Sequence, residues 1–348
     1  MAQSACNAAY NCSADICKLG IFRPMYSPEM YTRMRLNPTQ RQIMCTESTS
    51  KPYIGRFAPS PTGPLHFGSL VAAMASYCDA KANAGKWLVR IEDLDRPREV
   101  SGAADDILRG LEAFGFEWDG EITYQSKHDG LYGEALNHLQ KQALIYPCTC
   151  TRKEIADSSN SVGIDGLIYP KTCLKHTQKS NIHAAYRALA LDKNITFLDA
   201  IQGEITQNMA RDVGDFILKR ADGLFAYQLA VVVDDAAQGI THIVRGADLL
   251  DSTPRQIYLQ QLSDLPTPCY GHVPIAANHA GEKLSKQSRA VPIDMRFAAH
   301  QLVDALRFLG QLTAEELKNA TLAEVWRWAI ANWKVDSVPK QRKIIVNT

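Results

Sequence analysis

Arg56-Phe57-Ala58-Pro59-Ser60-Pro61-Thr62-Gly63-Pro64-Leu65-His66-Phe67-Gly68-Ser69 is the stretch on which the reading of the fold turns. A short apolar run, Tyr53 to Phe57, leads into it. Behind it Leu70, Ala73, Met74, Tyr77 and Cys78 fall on one face at helical spacing, so the stretch is a loop between a strand and a helix. Pro59, Pro61 and Pro64 stiffen that loop, while Gly63 and Gly68 let the backbone come close to whatever lies above it. The helix start supplies unpaired N–H groups and a positive dipole end, which together suit an anion. A polyphosphate is the natural guest, with His66 as a donor to developing phosphate charge. On these residues alone, a Pro-rich connection that binds nothing is an equal reading.

Working outward, Gly85 supplies a helix stop and Trp87 to Ile91 a second strand, which completes a βαβ unit. Glu92, Asp93 and Asp95 follow at its carboxyl edge, where open α/β sheets bind ligands. Glu92 is placed to hold a cationic group such as a substrate ammonium; Asp93 and Asp95 read as turn and cap residues ahead of Pro97. Ser101 opens a helix that closes at Gly115, and Ser126 caps the next. Short strands are expected over Ala184 to Leu198 and Asp215 to Lys219. Leu224 to Asp235 is core in any reading, with Tyr227 as a packed aromatic. Ile240 to Arg245 is a further strand. Its terminal Arg245 can clamp a carboxylate through two parallel hydrogen bonds, or form a surface ion pair with Asp248. Thr253 and Pro254 start a helix. Tyr270 to Ala276 makes the last strand, running into Gly281-Glu282-Lys283-Leu284-Ser285-Lys286-Gln287. That Gly-led loop can close over phosphates, with Lys286 neutralising charge as pyrophosphate leaves.

Between these two halves lies a cysteine cluster, Pro147-Cys148-Thr149-Cys150 followed by Tyr169-Pro170-Lys171-Thr172-Cys173. Three thiolates suit zinc, which takes four ligands. His176 and Tyr169 are the near candidates for the fourth, and ligand chemistry favours His176. The polar segment Asp157 to Gly163 reads as a flexible loop. Three cysteines without a metal are the plain alternative.

Composition narrows the class without choosing within it. The 348 residues are 46% hydrophobic and 22% charged, and 38 basic against 37 acidic side chains leave a formal charge of +1. Two domains fit in such a chain, and no global field announces a nucleic-acid partner, although a local stripe would be enough. No apolar run approaches the ~20 residues of a membrane span, so a cytoplasmic protein without membrane contact is expected. The nine cysteines, with no signal-peptide pattern, are expected to stay reduced. Residues 1–51 carry four of them without clean periodicity and read as a poorly ordered N-terminal extension.

Two weak phosphate motifs gain force when one follows the first strand and the other the last strand of one α/β unit. Pro-Ser-Pro-Thr-Gly-Pro-Leu-His-Phe-Gly and Lys-Leu-Ser-Lys-Gln resemble the two signature motifs of class I aminoacyl-tRNA synthetases. Arg56-Phe-Ala-Pro-Ser-Pro-Thr-Gly and Arg90-Ile-Glu-Asp resemble the glutamyl branch, over roughly Tyr53 to Arg289. Tyr227, Asp234, Asp235 and Arg245 match a further pattern of that branch, although Val231 stands where glutamyl-tRNA synthetases carry Asn. Ser69 stands where many class I enzymes carry a second His, a departure the branch commonly shows. The spacing of Cys148, Cys150, Tyr169 and Cys173 resembles the zinc site of a truncated relative in which tyrosine is the fourth ligand, and this turns the preference from His176 to Tyr169.

The resemblance implies a Rossmann-like α/β catalytic domain over 52–290, with a zinc-bearing and acceptor insertion at about 116–210 and a small helical C-terminal region, 291–348. The last stretch is shorter than the roughly 100 residues of a separate domain, so no anticodon-binding domain is expected. It further implies ATP-dependent, tRNA-independent activation of L-glutamate and its transfer to queuosine in the anticodon loop of tRNA(Asp), by a monomer carrying one structural Zn²⁺ and taking Mg²⁺ with ATP. His66 and Lys286 would be catalytic. His66, Gly68, Lys283, Ser285 and Lys286 would bind ATP; Arg56, Phe57, Ala58, Pro59, Ser60, Glu92, Tyr227 and Arg245 would bind glutamate. The alternatives are a shortened glutamyl-tRNA synthetase acting on tRNA(Glu), a non-catalytic tRNA-binding or amino-acid-sensing paralogue, and a nucleotidyltransferase with a small-molecule acceptor.

Overall fold

The computed structural model describes residues 52–175, 183–284 and 291–346. Ser285 and Lys286, the alternative ligand His176 and the extension 1–51 lie outside the described residues.

Strand β1 (Ile54–Phe57), helix α1 (Phe67–Ala82) and strand β2 (Lys86–Ile91) form the expected βαβ unit, with β1 and β2 parallel from Ile54 opposite Lys86 to Phe57 opposite Val89. Helix α1 is apolar almost all round, and nine of its residues are buried because it is covered by the sheet on one side and by the C-terminal helices on the other. The turn that closes it differs from the expectation. Ala84, not Gly85, takes the left-handed conformation, at φ 52°. Gly85 is needed for a different reason: a Cβ there would sit 2.6 Å from the Tyr53 carbonyl oxygen.

Helix α2 (Ala103–Ala113) follows, opened by Gly102 without a side-chain cap, and β3 (Thr123–Tyr124) adds a parallel strand beside β2. Ser126 does not cap α3 (Asp129–Lys141); its amide and hydroxyl instead bind the Asp93 carboxylate at 2.8 and 2.6 Å. The middle of the chain forms an antiparallel sheet of β4 (Ile145–Cys148), β7 (Ala185–Ala188) and β10 (Phe216–Lys219), with β7 central. Within it, α4 (Arg152–Ser158) and the hairpin β5 (Val162–Gly163) and β6 (Gly166–Leu167) occupy the segment expected to be a bare loop. A Thr151–Glu154 capping box is the local reason the helix starts there. Helix α5 (Thr172–Lys175) and the hairpin β8 (Asn194–Asp199) with β9 (Gly203–Asn208) complete this part.

The apolar run from Leu224 is helical, α6 (Tyr227–Ala237). Its buried Leu229 to Asp235 face the interior on all sides, a pattern that periodicity alone cannot assign to strand or helix. Strands β11 (His242–Gly246) and β12 (Cys269–Val273) pair in parallel across α7 (Thr253–Leu262), and the Thr241 amide donates to Ile54 O at 2.9 Å, laying β11 beside β1. Strand β13 (Ile275–Ala277) pairs with β14 (Lys343–Ile345), and α8 (Ala298–Phe308) and α9 (Leu322–Asn332) lie between them in sequence. The tail shares the core of the βαβ unit rather than forming its own: Leu302, Leu306 and Trp326 pack with Met74, Trp87 and Phe116. The Trp326 indole donates to Phe114 O at 2.8 Å. Among the described residues no helix is long and apolar enough to cross a membrane.

Candidate active site

The loop after β1 and the loop after β13 meet at one cleft of about 500 Å³, lined by Ser60, His66, Gly68, Asp248, Lys283 and Leu284 among others. His66 is the N-cap of α1. Its Nδ1 accepts from the Ser69 amide at 3.2 Å, while its own amide donates to Ser69 Oγ at 3.2 Å, a reciprocal capping box. Ser69, a departure from the class pattern, thus fixes the ring. With Nδ1 accepting, the proton of the neutral imidazole sits on Nε2. A Cβ on Gly68 would stand 3.2 Å from that ring and 3.4 Å from Leu284 O, so the glycine is what lets the two loops approach. Lys283 reaches across to Asp248 at 2.5 Å. Asp248 is therefore not the partner of Arg245.

Below Ser60 the site turns charged. Arg56 is buried and binds Asp235 through Nε at 3.2 Å and Nη2 at 3.4 Å. Arg90, fully buried, donates to Asp235 at 2.8 Å, Gln238 at 2.6 Å and Glu92 at 3.2 Å. Asp234, next to Asp235 on α6, is also fully buried and accepts from Gln125 at 2.8 Å, Tyr132 at 2.7 Å and His128 Nδ1 at 2.7 Å. Burial pushes the Glu92 carboxyl up, against the pull of Arg90 and Arg56. Burial also opposes ionisation of Asp235, but Arg56 and Arg90 outweigh it and hold that carboxyl below its ordinary value.

Arg245, at the end of β11, sits in a different setting. It is buried rather than on the surface, and among the described residues its partners are all neutral: His272 Nε2 at 3.1 Å, Thr253 Oγ1 at 2.9 Å, Gln256 Oε1 at 2.7 Å and Tyr227 Oη at 3.4 Å. Tyr227, half-buried at the start of α6, feels Arg245 on one side and Glu92, Arg56 and Asp235 on the other; burial is the main reason its phenol is raised. Phe57 turns its ring onto Trp87 at 6.1 Å, and Pro59 O accepts from the Glu92 amide at 2.9 Å, so these loop residues position Glu92 as much as they line the cleft.

The cysteine cluster forms a separate site. The thiols of Cys148, Cys150 and Cys173 lie within 4.8 Å of one another, an arrangement that could hold a metal ion. Tyr169 Oη is 3.4 Å from Cys150 Sγ and accepts from the Cys173 amide at 2.9 Å. Arg187 lies over the Tyr169 ring at 4.1 Å. These three thiols are free, as is the buried Cys78.

Residues 54–320 match the family model of class I tRNA synthetases (E and Q), catalytic domain. A glutamyl-Q tRNA(Asp) synthetase of Dechloromonas aromatica is 57% identical over 298 residues, spanning 85% of this chain and 99% of that one. The chain belongs to the glutamyl-Q tRNA(Asp) synthetase family. A second member, from Thiobacillus denitrificans, is 54% identical over 82% of this chain and 95% of its own length. Among solved structures, a glutamate tRNA ligase of Elizabethkingia meningosepticum shares the fold, with a TM-score of 0.68 at 23% identity. That match covers 84% of this chain, which spans 66% of that ligase's length.

Of the two loops singled out in the sequence, the first and the described part of the second, Lys283 and Leu284, line one cleft. Arg90, Gln125, His128, Tyr132, Asp199 and His272 went unread as site residues. Arg90 and Asp234 did carry a signal, since two charges in otherwise apolar runs need partners. Gln125, His128 and His272 carried none, because a polar residue at a strand or helix edge looks the same whether it is solvated or buried.

Proposed function

We propose that the chain activates L-glutamate with ATP, without tRNA, and transfers it to queuosine in the anticodon loop of tRNA(Asp). One observation carries the glutamate reading. A zwitterionic amino acid with an acidic side chain needs an arginine with charge to spare and a carboxylate with charge to spare. Among the described residues Arg245 has only neutral partners, and Arg56, Arg90, Asp234, Asp235 and Glu92 together hold two positive and three negative groups. A ligand carboxylate at Arg245 and a ligand ammonium at Glu92 would each complete a balance. Glutamine would leave the buried guanidinium without its anion, which is the basis for rejecting it.

In the first step the glutamate α-carboxylate attacks the α-phosphorus of ATP, the bond to the bridging oxygen breaks, and pyrophosphate leaves. Little proton transfer is needed, so the work of the site is positioning and charge stabilisation. His66, Gly68, Lys283, Ser285 and Lys286 take the nucleotide, which brings Mg²⁺ with it. Arg56, Ser60, Glu92, Tyr227 and Arg245 take the amino acid, with the backbone from Phe57 to Pro59 shaping the floor. The queuosine specificity rests on the names of the relatives.

Domain boundaries follow the same reading: 52–290 catalytic, with a zinc-bearing and acceptor insertion at about 116–210, and 291–348 helical, in a cytoplasmic monomer. Cys148, Cys150, Tyr169 and Cys173 would hold one structural zinc. The donor set fits, since Zn–S bonds of about 2.3 Å place tetrahedral ligands about 3.8 Å apart, close to the present cluster. Metal analysis should give near one zinc per chain and a clear loss in Cys150→Ser; full occupancy in that variant ends the assignment.

The deciding experiment offers labelled glutamate and ATP with purified tRNA(Asp), with and without queuosine, and with tRNA(Glu). Label is expected on queuosine-bearing tRNA(Asp) alone. Label on tRNA(Glu) and none on tRNA(Asp) would reverse the reading.

A further inference from the structure

Arg245 is steered by a pair of residues that lie behind it. His272, on β12, has no solvent exposure, and its Nδ1 lies 2.5 Å from Asp199 Oδ2. Asp199 ends β8, and its other oxygen, Oδ1, accepts three backbone amides: Ile201 at 3.0 Å, Gln202 at 2.9 Å and His272 itself at 3.1 Å. The carboxylate is thereby locked with Oδ2 aimed at the imidazole. A carboxylate can only accept, so Nδ1 carries the proton and Nε2 is left with a lone pair. That lone pair faces Arg245 Nε, at 3.1 Å, and Thr253 Oγ1, at 3.1 Å.

We infer that Asp199 and His272 are positioning residues for the glutamate-binding arginine, with Asp199 fixing the His272 tautomer that turns an acceptor toward Arg245 Nε. This deepens the proposed function and rests on its assignment of Arg245 to the ligand carboxylate. The physical advantage lies in what stands between the two charges. A carboxylate bonded directly to Arg245 would compete with the substrate for the guanidinium, as Asp235 does at Arg56 and Arg90. A neutral imidazole orients the guanidinium and leaves its charge for the ligand. Burial holds His272 neutral and the adjacent Arg245 acts in the same direction, while Asp199 opposes both without reversing them. Thr253 and Gln256 hold Nη2 from the other side, at 2.9 and 2.7 Å, so Nη1, with Tyr227 at 3.4 Å, is the edge turned to substrate.

Two readouts test this on the full chain. Nitrogen-15 NMR of labelled histidine reads the tautomer with no substrate present. His272 should carry its proton on Nδ1 in the wild type and on Nε2 in Asp199→Asn, whose amide would donate where the carboxylate accepted. A wild-type proton on Nε2 overturns the inference whatever the enzyme's substrate. Glutamate-dependent ATP–pyrophosphate exchange supplies the second readout. Asp199→Asn and His272→Phe should each raise KM for glutamate about tenfold or more while KM for ATP stays within about twofold, and His272→Gln, which keeps an acceptor, should recover most of the loss. Equal KM values for glutamate in melting-competent Asp199→Asn and wild type sink the positioning role alone. Absence of any glutamate-dependent exchange in the wild type would instead sink the glutamate reading, with the tautomer result still standing on its own.

Discussion

Two groups of buried arginines are handled in opposite ways. Arg56 and Arg90 are held by carboxylates, both reaching Asp235, with Glu92 and Asp234 close by. Arg245 is held by an imidazole, a hydroxyl, a side-chain amide and a phenol. A guanidinium paired with a carboxylate is a structural tie whose charge is already used. One held by neutral acceptors is equally well fixed but keeps its charge for an incoming anion. On the proposed reading, the difference separates arginines whose charge is matched by Asp235 from the arginine whose charge is left for the ligand, and Arg56 would meet the amino acid while tied to Asp235.

Breaking the acid-paired side should give the largest effect. Asp235→Asn leaves two buried guanidiniums sharing one fewer anion, and a loss of about 3–5 kcal/mol of folding stability is expected from denaturant unfolding. Stability within about 1 kcal/mol of wild type would show that the pairs are not the structural tie described. On the neutral-held side, Arg245→Lys replaces a planar fork by a point charge that cannot satisfy His272, Thr253 and Gln256 together. It should cost about 2–5 kcal/mol in kcat/KM for glutamate, roughly 30-fold or more, while the loss of folding stability stays smaller than that of Asp235→Asn. A variant that melts early but charges normally would exchange the roles of the two groups.

The smallest effect concerns Glu92, the carboxylate beside Arg90. Its raised pKa means that it takes up a proton as pH falls through that raised value, losing the charge that would hold the substrate ammonium. KM for glutamate should therefore rise on the acid side in the wild type. Glu92→Gln should show a higher KM with that acid limb flattened; an unchanged limb would assign the titration elsewhere. The sign for folding is the reverse. A carboxyl whose folded pKa is raised costs stability as pH rises above its ordinary value, so Glu92→Gln should gain slightly in thermal stability at neutral pH.

Much of this was legible along the chain. The βαβ unit, the loop bearing His66 and Gly68, and the cysteine spacing each follow from residues close in sequence, and local geometry preserves such signals. Helix α6 shows where legibility stops. Leu224 to Asp235 reads as core in any conformation, and only packing against α3 and α7 makes it a helix that delivers Tyr227, Asp234 and Asp235 into the interior. Gly85 shows a correct residue with a misread cause, its demand coming from Tyr53, 32 positions earlier and just ahead of β1.

The sequence by itself determined which chemical groups are available and where phosphate can sit, because anion loops, thiol clusters and strand periodicity are built from near neighbours. Tertiary structure alone decided which charges are spent. Arg56, Arg90 and Arg245 look alike in a list of residues. They differ because folding brings Asp235 to the first two across more than 140 positions and brings His272, backed by Asp199, to the third. At buried distances near 3 Å the identity of the neighbour sets whether a charge is neutralised or kept, and that neighbour is a property of the packed chain.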